Sequence, residues 1–105
     1  MKRRRQIRPE ALIELREAAE WYEEQREGLG GELVDEFERT LEDALGRLET
    51  SAAIAKTSGG LPIRQFRLDR FSRYAIYLVV FDDVPVVVAF EHASREPGYW
   101  RNRLK

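Results

Sequence analysis

Apolar positions change their period twice along this chain. From Leu12 to Tyr22 they follow helical spacing, with Leu12, Leu15, Ala19 and Tyr22 on one line and Ala18 beside them. Steps of three and four put such residues on one helix face. Glu10, Glu14, Glu17, Glu20, Glu24 and Glu27 fall opposite, so the spacing predicts an amphipathic helix of about 18 residues with its acids in water. Pro9 suits its first position, where no amide hydrogen is needed. Gly28, Gly30 and Gly31 end it, because glycine readily takes the left-handed conformation of a helix C-terminus. A second stripe of Leu33, Phe37, Leu41, Leu45 and Leu48, extended by Ala44, predicts another helix from near Glu32. Two amphipathic helices on a short glycine link make an antiparallel αα-hairpin.

After Leu61 the period falls to two. Over Pro62 to Leu68, Arg64, Phe66 and Leu68 share one face while Ile63, Gln65 and Arg67 share the other. The tract from Arg73 to Phe81 is apolar on both faces, with Tyr74, Ile76, Leu78 and Val80 on one and Ala75, Tyr77, Val79 and Phe81 on the other. That predicts a central strand. Asp82-Asp83 then links it to a last strand from Val84 to His92, as a two-residue hairpin turn. Strict alternation there puts Val86, Val88, Phe90 and His92 together, opposite Val87, Ala89 and Glu91. Pro85, which has no ladder donor, marks the strand's start.

The remaining segments are less regular. Residues 3–8 read as a short edge strand whose charges discourage aggregation, or as a basic arm. Residues 50–61 read as the loop between helices and sheet, with Gly59-Gly60 as a turn. The tail from Arg95 breaks at Pro97-Gly98 and continues as a short helix or an extended arm. The order is one strand, two helices and a three-stranded antiparallel sheet. That is an α+β two-layer sandwich in a single domain spanning residues 1–105.

Composition narrows the chemistry. There are no cysteines and one histidine, which excludes a disulfide framework, a thiolate nucleophile and a multi-histidine metal site. No cofactor is expected. No apolar run approaches the ~20 residues of a membrane span, and no apolar segment follows the basic start as in a secretory signal, so a cytoplasmic protein without a membrane partner is expected. The net charge of −1 conceals a division. Residues 1–8 carry +5. Residues 9–50 carry fourteen acids against four arginines, −10, and residues 51–105 carry nine bases against five acids, +4. An acidic helical layer therefore adjoins a basic sheet layer. Such asymmetry suits an anionic partner, and equally a well-solvated helical surface.

Three strings resemble one known family. EAAEWYEEQREGLGGELVDEFE resembles a helical hairpin, RLDRFSRYAIYLVV a strand segment, and VVVAFEHASREPGYW a strand-end His followed by an Arg and a near-terminal Trp. Their order and spacing resemble the RelE/ParE superfamily of toxins from bacterial type II toxin–antitoxin systems, over about residues 9–103. The resemblance implies a RelE/ParE-like fold and a cognate antitoxin that covers basic and apolar surface in a toxin–antitoxin hetero-oligomer. It implies either an mRNA interferase, which cleaves ribosome-bound mRNA, or a ParE-like poison that binds DNA gyrase without cleaving nucleic acid. A relative that keeps only antitoxin binding is the third reading.

RNA cleavage without a metal needs proton transfer at the 2′-hydroxyl and the leaving oxygen, and cations on the phosphate. Imidazole exchanges protons near neutral pH, which points to His92. Guanidinium groups bind phosphate bidentately, and aromatic rings stack on bases. The expected catalytic set is Arg70, His92, Arg95 and Tyr99. Arg64, Arg67, Arg73, Tyr74 and Tyr77 are expected to bind substrate. Tyr74 stands where the nucleases of the resembled family carry an Arg, and Arg73 beside it would lie on the other sheet face.

Overall fold

The computed structural model describes residues 5–96 and 98–104. Strand β1 (Gln6–Ile7) is followed by helices α1 (Pro9–Gln25) and α2 (Leu29–Gly46), strands β2 (Ala55–Lys56), β3 (Pro62–Arg67), β4 (Tyr74–Phe81) and β5 (Val84–His92), and a 3-10 helix over Tyr99–Leu104. The fold is α+β, as the periodicities predict. The sheet is larger than expected, with five strands in the order β1-β5-β4-β3-β2. Strands β3, β4 and β5 form the expected antiparallel meander. β1 adds a parallel edge, with Gln6 opposite Val86 and Ile7 opposite Val87. β2 adds the other edge, from within the segment expected to be a loop. Two residues are too few to give a periodic signal. They pair because the turn at Gly60 (φ 87°) folds the link back, with Thr57 N–H donating to Leu61 O at 2.8 Å.

The helical hairpin turns where glycine predicts, but α2 starts at Leu29 rather than near Glu32. Only Gly28 is left-handed, at φ 88°. Gly30 lies inside α2, and a Cβ built on it would stand 2.4 Å from Ala19 O. Its role is close helix approach rather than termination. Glu23 accepts the backbone N–H groups of Gly28 (2.9 Å) and Gly30 (3.0 Å), which caps the start of α2 from α1. The buried line of α1 is Ala11, Leu15 and Ala18. Leu12, expected in the stripe, is 43% exposed.

Asp82 and Asp83 both have positive φ, 49° and 66°, the backbone of the tight hairpin turn whose twist matches its strands. Further along β5, strict alternation fails. Tyr77 pairs with Ala89 and Leu78 with Val87, so Val88 is an inserted bulge residue. Val87 and Phe90 then face the helices, packed with Leu15, Phe37, Leu41 and Ile76. Val86, Val88 and Ala89 face the other way, into a second core with Ile63, Tyr77 and Val79. The 3-10 helix closes that second core with Trp100, which is buried.

Candidate functional site

The bulge re-aims the end of β5, and a cleft opens beside it. The lining comes from α1 (Glu14, Glu17, Ala18, Trp21), from Tyr74 at the start of β4, from Phe90 and His92 on β5, and from Arg95 and Tyr99 beyond it. Its volume is about 250 Å³. Tyr74 opposes His92 across the ladder. Its ring stacks on Phe90 at 4.8 Å and meets the imidazole edge-on at 4.9 Å. Burial first, then the neighbouring Tyr22, raises its phenol pKa above the ordinary value.

His92 is held by the turn that follows it. Ser94 N–H donates to Nδ1 at 2.9 Å, and Ser94 Oγ lies 2.7 Å from the same nitrogen. A backbone donor on Nδ1 leaves the proton of neutral imidazole on Nε2. Nε2 has no hydrogen-bond partner among the described residues, so His92 offers that nitrogen as a donor. The Arg95 guanidinium lies over the Tyr99 ring at 4.0 Å. It has no carboxylate partner among the described residues, which leaves its charge available to an anion.

Tyr99 is anchored from below. Its hydroxyl donates to Glu14 Oε2, and Arg103 grips both oxygens of that carboxylate at 3.0 and 3.1 Å. Glu14 also accepts Phe90 N–H at 3.0 Å, and Arg103 donates to Val88 O at 3.2 Å. These groups of β5 lie past the end of the two-residue β1, so a side-chain pair completes the sheet edge that β1 leaves open. Burial, then the bond to Glu14, raises the Tyr99 phenol well above its ordinary pKa. The hydroxyl is thereby committed as a donor to Glu14, and the ring is what Tyr99 gives the cleft.

Four of the nine expected residues therefore meet in this cleft: His92, Arg95, Tyr99 and Tyr74. The other five lie elsewhere. The Arg70 guanidinium pairs with Glu32 and lies over the Phe71 ring. Arg64 Nε donates to Ser51 O at 3.1 Å, and Arg67 donates to Ser72 O at 3.0 Å. Arg67 lines a separate, larger polar groove of about 640 Å³ beside α2, with Arg39 and Arg47. Arg73 is exposed at the start of β4, where its backbone O accepts Ala93 N–H. Tyr77 is on the opposite sheet face against Trp100, bonded to Glu91 at 2.5 Å, with its phenol pKa pushed up to about 12 by burial and then by that carboxylate.

Glu14, Glu17 and Trp21 line the cleft without being singled out from sequence, and Ser94 holds His92 from outside the lining. Helical spacing carried a signal for the first. Glu14 stands three residues after Ala11 and four before Ala18, both buried, so its place on the solvent face was a misreading of the wheel. Trp21 is 54% exposed. Among the described residues no group of His, Asp and Glu is arranged to hold a metal ion. No helix is long and apolar enough to cross a membrane, again among those residues. Comparison of the chain with protein-family models, curated proteins and solved structures finds no match.

Proposed function

We propose that the chain is a RelE/ParE-like toxin of the cytoplasm, neutralised by a cognate antitoxin, and that it inhibits translation by cleaving ribosome-bound mRNA without a metal. The observation that carries this reading is the meeting, in one cleft, of His92, the rings of Tyr74 and Tyr99, and an Arg95 without a carboxylate partner among the described residues. The 2′-oxygen attacks phosphorus and the P–O5′ bond breaks, leaving a 2′,3′-cyclic phosphate. The 2′-hydroxyl proton passes to solvent. Arg95 holds the phosphate and the charge that grows on it. His92, whose Nδ1 accepts the Ser94 N–H, donates a hydrogen bond from Nε2–H to O5′ as the bond breaks, and solvent supplies the proton that O5′ takes up.

A second reading is a ParE-like toxin that binds DNA gyrase and cleaves nothing itself. The engagement of Arg64, Arg67 and Arg70 by partners within the chain favours it. Induced expression of the chain alone, with growth and primer extension on abundant mRNAs, separates the two. Ribonuclease action gives arrest with discrete cuts, lost in His92→Ala and Arg95→Ala. Arrest with intact mRNA and an induced DNA-damage response moves the assignment to gyrase. Normal growth from well-expressed, folded protein removes the toxic activity and leaves antitoxin binding.

A further inference from the structure

Glu17 and Trp21 stand one helical turn apart on the wall of the His92 cleft. Trp21 is the unusual one of the two. Trp21 leaves 54% of its surface in water, although an indole is among the most favourable groups to bury. Its ring contact among the described residues is Tyr22, perpendicular at 5.0 Å, with no stacked partner. Glu17 has neither an ion pair nor a hydrogen bond among the described residues. Its neighbour Glu14, three residues earlier, is fully occupied by Arg103, Tyr99 and Phe90 N–H. Among the described residues, one carboxylate without a polar partner and one indole without a stacked partner thus flank the cleft that holds His92 and Arg95.

We propose that this pair selects guanine, with the base stacked on Trp21 and its Watson–Crick edge hydrogen-bonded to the Glu17 carboxylate. The proposal rests on the reading of the cleft as an RNA site. A carboxylate accepts hydrogen bonds only. Guanine alone among the four RNA bases carries two adjacent donors on its Watson–Crick edge, N1–H and the N2 amino group, and these match two carboxylate oxygens. Adenine and cytosine each set a ring-nitrogen lone pair beside their amino group, which a carboxylate repels. Uracil has one donor between two carbonyl oxygens. A ring stacked on Trp21 adds affinity for any base, because every base has a π-face. A cleft of about 250 Å³ admits a single unpaired base rather than a base pair, which fits recognition of single-stranded RNA. The division of labour is then clear. Arg95 and His92 act on the phosphate, Trp21 holds the base, and Glu17 chooses it.

The test is to map cut positions across the transcripts of cells induced for the wild-type chain, Glu17→Gln and Trp21→Ala. The wild type is expected to favour guanine at one position flanking the cut by roughly tenfold to a hundredfold over adenine, the discrimination a good bidentate pair provides. Glu17→Gln redistributes the cuts so that guanine and adenine sites are used alike. Trp21→Ala lowers cutting at all bases by a similar factor. Wild-type cuts without base preference overturn the proposal and leave the nuclease reading intact. A Glu17→Gln protein that melts like the wild type but loses cutting equally at every site also overturns it, and places Glu17 in the chemical step. Absence of any cut from the wild-type chain ends the RNA reading, and this inference with it.

Discussion

At Tyr77 a phenol sits beneath Trp100 and shares a carboxylate with it. Tyr77 Oη donates to Glu91 at 2.5 Å and Trp100 Nε1 donates to the other oxygen at 3.2 Å. Burial and that carboxylate push the phenol from 10.0 up to about 12. The folded state therefore keeps a proton that the unfolded chain has already released. The stabilisation is complete below pH 10 and is lost as pH rises from 10 to 12, a change of about 2 kcal/mol. Unfolding by urea across that window should show stability falling with pH, and falling less steeply in Tyr77→Phe. An identical slope in the two proteins would refute the assignment. The residue types of the His92 cleft were legible in sequence because chemistry restricts them: one histidine, few tyrosines and several arginines. Their grouping was not. Arg70 and Arg95 look equivalent in the chain, yet Arg70 meets Glu32 of α2 and Arg95 lies on an aromatic ring.

Among the elements, the αα-hairpin gives the sharpest contrast between neighbouring residues. Gly30 and Gly31 both lie in the first turn of α2. Helix propensity alone makes Gly→Ala favourable by about 1 kcal/mol at either. At Gly31 a Cβ meets nothing within 4 Å, so Gly31→Ala should raise the melting temperature. At Gly30 the same methyl overlaps Ala19 O. Backbone cannot swing aside as a side chain can, so the helices must part. The cost of overpacking, roughly 1–3 kcal/mol, exceeds the propensity gain, and Gly30→Ala should melt lower. Thermal unfolding of the two variants checks this, and equal melting points would count against it. The helices and the three-stranded meander were readable because their periods extend over many residues. β1 and β2 have two residues each, and the bulge at Val88 leaves no mark in composition, so register had to come from the partners.

For the molecule as a whole, Glu14 and Arg103 tie the first helix to the last turn across the open edge of β5. Both side chains are largely buried, at 11% and 17% exposure. Removing one partner strands the other charge, so Glu14→Gln and Arg103→Met should each cost about 2–3 kcal/mol, somewhat below the figure for a fully buried pair. The double variant should recover part of that loss. Urea midpoints of the four proteins give the coupling; a value near zero would mean that the pair does not hold the tail. The tail in turn covers the second core through Trp100 and sets Tyr99 beneath Arg95, so loss of the pair disturbs the cleft as well. The sequence by itself determined the α+β class, the hairpin of helices and the order of the long strands. It did so because hydrophobic period and turn chemistry are local and repeat along the chain. Tertiary structure alone decided which face the bulge turns to the helices, which of the described arginines remain without a carboxylate, and that Glu14 points inward. Those outcomes depend on pairings across as many as 89 residues, and no local pattern records them.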